Sequence, residues 1–170
     1  KSLATKTRCI ALDLSRSECL DEYAALLEKE KPEVADLVNG SGFGKFGTFT
    51  EMELDAQLSM IDLNDKALVA MTYLTLPYMK EGGQIYQIDS LSSFQPVPYI
   101  NVYGATKAFV LSYSRGLCCE LRPKGITVTA VCPFWTKTEF FNRAVVAGEE
   151  AVVKKYTAMY LPEQIVQRAW

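Results

Sequence analysis

Tyr103 and Lys107 stand four residues apart in a stretch whose apolar spacing is helical, so their side chains leave one helix face a turn apart. A phenol beside an ammonium can exchange a proton with a bound oxygen, and the cation favours the phenolate, lowering a tyrosine pKa from about 10 toward neutrality. Ser90 lies thirteen residues earlier, at the carboxyl end of a short strand-like run, and offers a hydroxyl. Asn64 offers an amide from inside the long helical pattern before it. The chain of 170 residues contains no histidine. Ser-His-Asp and Cys-His nucleophiles and histidine metal sites are therefore excluded. Acid/base chemistry near neutral pH must come from carboxylate, Cys, Lys or Tyr. The five cysteines are odd in number and form no CxxC pair, which reads as reduced, mostly buried thiols.

One glycine motif points elsewhere. Residues 42–47, Gly-Phe-Gly-Lys-Phe-Gly, fit GxGxxG and follow a strand. A dinucleotide fingerprint needs a helix to open within the motif and an acid at a later strand end. Here Thr48, Phe49 and Thr50 intervene, and the acid at the required distance, Asp62, falls inside a helix. A P-loop fails because Phe46 follows Gly44-Lys45. A flexible strand-end turn is the better reading.

The elements that must carry these groups alternate. Residues 8–14 read as a strand, and Ser15 with Glu18 as a capping box opening a helix to about Lys31. Val34–Asn39 is a second strand. Thr50 and Glu53 cap a helix over residues 50–79, bent or ended by Pro77. Glu81-Gly82-Gly83 is a turn, and 84–89 a third strand. A helix over 101–121 stops at Pro123 and Gly125, and 126–132 form a fourth strand. Residues 138–170 are helical in pattern, with a break at Leu161-Pro162. Strand and helix at this spacing imply an α/β fold, a parallel sheet joined by right-handed crossovers and covered on both faces. With 49% apolar residues, 1–170 form one domain.

A net charge of −2 gives no footprint for nucleic acid and no basic arm for a membrane. The most apolar stretch, 67–79, is too short to span a bilayer. No signal peptide is visible, so a cytoplasmic location is expected. The helices over 50–79 and 101–121 are apolar around much of their circumference, through Leu68, Met71 and Leu74 and through Phe109, Leu111 and Leu117. One sheet covers one side of a helix, so a homodimer or homotetramer through these helices is expected.

At matching intervals the chain resembles the short-chain dehydrogenase/reductase family, from about residue 8 to 142. Val38-Asn39-Gly40-Ser41-Gly42 stands where the family has an Asn-Asn-Ala-Gly turn, and Asp62-Leu63-Asn64 where its helix carries an Asn. Ile88-Asp89-Ser90 matches the strand end with the family's Ser, and Tyr103 with Lys107 its YxxxK. The segment 132–138 matches its Pro-Gly closing segment, with Phe134 in place of Gly. Asp13-Leu14 looks like the acid that contacts adenine.

The resemblance implies a three-layer Rossmann-type α/β/α sheet and hydride transfer between NAD or NADP and a small-molecule alcohol or carbonyl. Tyr103 would exchange the proton, Ser90 hold the substrate oxygen, Lys107 tune Tyr103 and grip the nicotinamide ribose, and Asn64 hold a relay water. Cofactor contacts would come from Asp13, Leu14, Asn39, Gly40, Ser41, Tyr103, Lys107, Pro133, Thr136 and Thr138. The family begins with a βαβ unit and a TGxxxGxG turn ahead of the Asp13 region and ends on a further strand, so the sheet is expected to be incomplete here. A parent supplying two strands between 8–14 and 34–39 is favoured over direct pairing of these two segments. The alternative is an inactive truncated fragment or pseudo-enzyme serving only as a helix-pairing module.

Overall fold

The computed structural model describes residues 6–144 and 159–169. Three parallel strands form its sheet, in spatial order β1 (Val34–Asn39), β2 (Met79–Ile88), β3 (Thr127–Val131). Helix α1 (Ser17–Glu30) precedes β1, and α4 (Asn101–Leu121) joins β2 to β3. Between β1 and β2 runs one helical rod in three parts: α2 (Leu54–Ile61), a π-helical stretch (Asp62–Ala67) and α3 (Leu68–Thr75). Pro77 ends this rod inside a single 3₁₀ turn, as its missing N–H and fixed φ dictate. Beyond β3 lie α5 (Phe140–Ala144) and α6 (Pro162–Ala169).

Alternation along the strands sets the core. Leu37, Ile85 and Val128 point to one face and pack with Leu121 and Ile126, closed by Leu117 and Cys118 of α4. The next positions on that face are polar and satisfy one another. Asn39 donates to the Thr72 hydroxyl and to Gln87 Oε1, both at 2.9 Å, and Gln87 donates back to Thr72 at 3.2 Å. A parallel sheet flanked by helices, Rossmann-like in arrangement, is thus present with three strands.

Several expected boundaries differ. Residues 8–14 join no strand ladder. β1 pairs only with β2 among the described residues, so an apolar run there has no neighbour to hold it extended. Ser15 does not cap α1; its hydroxyl and N–H both bond Asp13 Oδ1, and Arg16 occupies the cap without a side-chain bond. The next helix starts at Leu54, with Thr48 rather than Thr50 making the local bond, to Glu51. The expected Glu81-Gly82-Gly83 turn is a bulge within β2. The pairing jumps from Val34↔Met79 to Asp36↔Gln84, and Gly82 absorbs the extra residues at φ +76°. Gly83 admits no Cβ, which would sit 2.9 Å from the Lys80 carbonyl. The five cysteines are free but none is buried: Cys9 and Cys119 are exposed and the others half-buried. The helical pattern read over 145–158 lies outside the described residues.

Candidate active site

The carboxyl ends of β1, β2 and β3 open into one cleft of about 780 Å³. In a parallel sheet these ends are where ligands collect. The glycine loop after β1, Asp89 and Ser90 after β2, and the segment after β3 all line it. The first turns of α4 supply Tyr103 and Lys107, and α6 covers part of the opening with Ile165 and Val166.

Lys107 is only 6% exposed, and its ammonium donates to the Ile88 carbonyl at 2.8 Å. It lies 5.7 Å from the centroid of the Tyr103 ring. Burial pulls its pKa down, while the carboxylates of Asp89 and Asp65 act in the other direction. The Ser90 hydroxyl accepts from the Ser92 N–H at 3.2 Å, lies 3.0 Å from the Ser92 hydroxyl, and lines the same cleft as Tyr103. The ammonium was expected to bring Tyr103 toward neutrality; its pKa is instead pushed up to about 12. Burial dominates, the Ser90 hydroxyl acts against it, and the Asp89 carboxylate adds to the rise. The phenol is therefore held as a proton donor.

Asn64 does not line the cleft but stands behind its wall, 1% exposed in the π-helical stretch. Its Oδ1 accepts from the Phe43 N–H at 3.0 Å, and its Nδ2 donates to the Phe43 carbonyl at 2.9 Å and to Thr106 at 3.0 Å. Both amide protons are thus spent on clamping the glycine loop to α4. A Cβ on Gly42 would lie 2.9 Å from Asn64 Oδ1, so only glycine permits this approach.

The structure brings Gly40, Ser90, Tyr103, Lys107, Pro133, Thr136 and Thr138 to the cleft. Four expected cofactor residues stand apart. Asn39 is engaged with Thr72 and Gln87, away from the opening. Ser41 is exposed and off the lining, and Asp13 and Leu14 lie in the segment outside the sheet. Their side chains are set by local bonding and by the strand's alternation, which residue type alone did not reveal.

Sequence reasoning missed Asp65 and Asp89. Each has a buried Oδ1 with no hydrogen-bond partner, and each acts on Lys107. Burial pushes Asp65 up to about 7 and raises Asp89 as well. Cys132 donates to Asp89 Oδ2 at 3.4 Å, and burial pushes its thiol up to about 11. The available signal was adjacency, since one acid follows Asn64 and the other precedes Ser90. Among the described residues, no group of acids and cysteines could hold a metal ion.

A phenol, a serine hydroxyl and a buried ammonium one helical turn from the phenol thus share one cleft at the carboxyl ends of the strands. The family model for short chain dehydrogenases matches residues 1–147, and the chain belongs to that family. It is 34% identical over 135 residues to the sulfoacetaldehyde reductase of Chromohalobacter salexigens, covering 77% of this chain and 53% of that protein. It is 32% identical over 165 residues to the NADP-dependent 3-hydroxy acid dehydrogenase of Salmonella typhi, covering 94% and 66%. A short-chain dehydrogenase from Sphingobium yanoikuyae, solved in complex with NADPH, superposes with a TM-score of 0.76 at 32% identity over 92% of this chain and 59% of that one. The chain thus spans roughly half to two thirds of the length of these relatives. No helix among the described residues is long and apolar enough to cross a membrane.

Proposed function

We propose that this chain carries the catalytic half of an NAD(P)-dependent oxidoreductase that interconverts a small-molecule alcohol and a carbonyl. One observation carries the reading: Ser90, Tyr103 and Lys107 converge on a single cleft from two strand-end elements, with Asn64 locking the loop behind them. The donor set also fits a nicotinamide riboside. Tyr103 and Lys107 offer a phenol and an ammonium to ribose hydroxyls, and Asp89 has a buried oxygen without a partner. A bound nicotinamide supplies the hydride that a carbonyl carbon receives, or accepts it from the alcohol. Gly40, Pro133, Thr136 and Thr138 line the cleft where they could flank that ring.

In the reductive direction Tyr103 gives its proton to the carbonyl oxygen as the carbon gains hydride, so the product is the neutral alcohol. Ser90 donates to the same oxygen and fixes its distance from the phenol. Lys107 then faces the developing phenolate and stabilises it. With both Asn64 amide protons committed to Phe43 and Thr106, a water relay would have to use the Asn64 backbone carbonyl. The π-helical register loosens carbonyls at that place, a distortion frequent at functional sites.

Assembly through the two long helices belongs to the same proposal. Tyr73 on α3 is 75% exposed, and Phe109 and Tyr113 stack in parallel on α4 with centroids 6.0 Å apart. Sedimentation at micromolar concentration should show a dimer or larger. Tyr103→Phe tests the chemistry: it keeps the ring and removes the proton. Turnover of the active form should fall by about 100- to 10,000-fold with an unchanged melting profile. Retention of more than half the parent rate would sink the assignment.

A further inference from the structure

The cleft has a wall that the proton chemistry does not need. Starting at Tyr103, aromatic rings follow one another in contact: Tyr103 to Phe140 at 5.4 Å, Phe140 to Phe141 at 5.6 Å, Phe141 to Trp135 at 5.6 Å, and Trp135 to Phe134 at 5.5 Å between centroids. All five rings line the opening. Val97 and Ile100 face into the same space, and Ile165 and Val166 of α6 roof it. The roof is fastened. Tyr160, just before α6, pairs in parallel with Thr136, donating to the Trp135 carbonyl and accepting from the Lys137 N–H, each at 2.8 Å.

Charge lines the cleft sparsely and in balance. Lys45 and Lys107 are offset by Asp89 and Glu139, and no arginine is present among the described lining residues. Lys107 is already bonded to the Ile88 carbonyl, and its charge already faces Asp89 and Asp65. An anionic group such as a carboxylate or sulfonate is best held by a bidentate guanidinium, and the described lining residues offer none. Aromatic walls gain from offset or edge-to-face contact with another ring and from removing apolar area from water.

We propose that the substrate is an uncharged, bulky ketone or secondary alcohol bearing an aryl group, which lies along the Phe140–Phe141–Trp135 wall while its oxygen reaches Ser90 and Tyr103. This rests on the oxidoreductase reading for the reacting oxygen, but not for the wall. Binding of propiophenone and of acetoacetate to the 170-residue chain can be compared by isothermal titration and ligand-observed NMR. Propiophenone should bind saturably and at least about tenfold more tightly than acetoacetate. Trp135→Ala should weaken propiophenone by about tenfold. Val166→Glu, at a roof position 59% exposed where folding is not at stake, should weaken it several-fold.

Tighter binding of acetoacetate, especially if lost in Lys45→Ala, overturns the proposal. So does saturable binding of neither ligand, or propiophenone binding indifferent to both wall and roof variants. Turnover separates this from the parent reading. Propiophenone binding as expected without Tyr103-dependent turnover in a catalytically complete form removes the oxidoreductase reading and leaves the ligand class standing. Tyr103-dependent turnover that prefers short oxo acids does the reverse.

Discussion

Asn64, Tyr103 and Lys107 are each held from another element, whereas Asp13 is held only within its own turn. Lys107 reaches from α4 to the end of β2, the Tyr103 ring packs on Phe140 of α5, and Asn64 ties a loop to two helical elements. Asp13 bonds the Ser15 N–H at 3.1 Å and its hydroxyl at 2.6 Å, and residues 6–14 enter no ladder. Arg8 adds only an exposed ion pair with Glu30. The two regions were expected to serve opposite ends of one dinucleotide. The difference teaches that a binding residue is placed by the sheet beneath it. Where β1, β2 and β3 lie side by side, their carboxyl ends deliver side chains to a common point. Beyond β1 no strand is paired among the described residues, and the chain delivers nothing.

The sharpest way to break this contrast is to disturb the well-held end. A Cβ on Gly44 would lie 2.8 Å from Phe140 Cζ and 2.9 Å from Tyr103 Cδ2. Phe140 can swing, but the side of the Tyr103 ring cannot give way without moving its hydroxyl within the cleft. Gly44→Ala should therefore cost about 1–3 kcal/mol of stability, as overpacking does. It should also lower turnover of a catalytically complete form by at least about tenfold, because misplacement of a reacting group is amplified in rate. A melting temperature and a rate both equal to the parent would show that the cleft is loosely built.

Much of the well-held end was legible, for a physical reason. Helical spacing alone puts Tyr103 and Lys107 on one face, and α4 has its expected limits, Asn101–Leu121. The order of elements followed from hydrophobic period. Hidden from the sequence was everything decided by side-chain direction across elements. Asn39 turned to Thr72 and Gln87 rather than to a ligand, and Asn64 spent its amide on a loop. Burial, not the ammonium, sets the direction at Tyr103, whose ring packs against Phe140, a contact across many residues of sequence. The run 8–14 had strand composition, but composition supplies no partner strand. Asp65 and Asp89 escaped because single acids give no period and no spacing to read.

Asp65 gives a smaller and pH-dependent test of the same region. Burial raises its pKa to about 7 from the ordinary carboxylate value, with Lys107 partly opposing, and its buried Oδ1 has no partner. The folded state therefore binds this proton more tightly than the unfolded chain does. Its contribution is fully present below the unfolded pKa and is lost as pH rises through about 7. Asp65→Asn removes the charge and keeps the shape. At pH 8 the variant should be the more stable by on the order of 1 kcal/mol, a figure discounted because the residue is only half-buried. That corresponds to roughly 2–4 °C in melting temperature. At pH 4 the two should melt together. A variant less stable than the parent at pH 8 would mean that the Asp65–Lys107 attraction outweighs desolvation.

The smallest expected effect lies at the other end and tests the contrast directly. Asp13 is fully exposed, and its pKa is lowered first by the Ser15 hydroxyl, then by the Ser15 N–H, with Arg16 adding a weaker attraction. A carboxyl with a depressed folded pKa contributes above its unfolded value, and that contribution fades as pH falls through the folded pKa. Here the bonds span two residues in an exposed turn, and the unfolded chain can form the same turn part of the time. Folding then gains little from them. Asp13→Asn in this chain should leave the melting temperature at pH 7 unchanged within error, and the parent should show no loss between pH 7 and 5 assignable to Asp13. The amide can still accept from the Ser15 N–H, so the turn survives. A clear loss of stability in Asp13→Asn would mean that residues 6–14 are fastened by more than their own turn, and the distinction between a built end and an unbuilt end would fall.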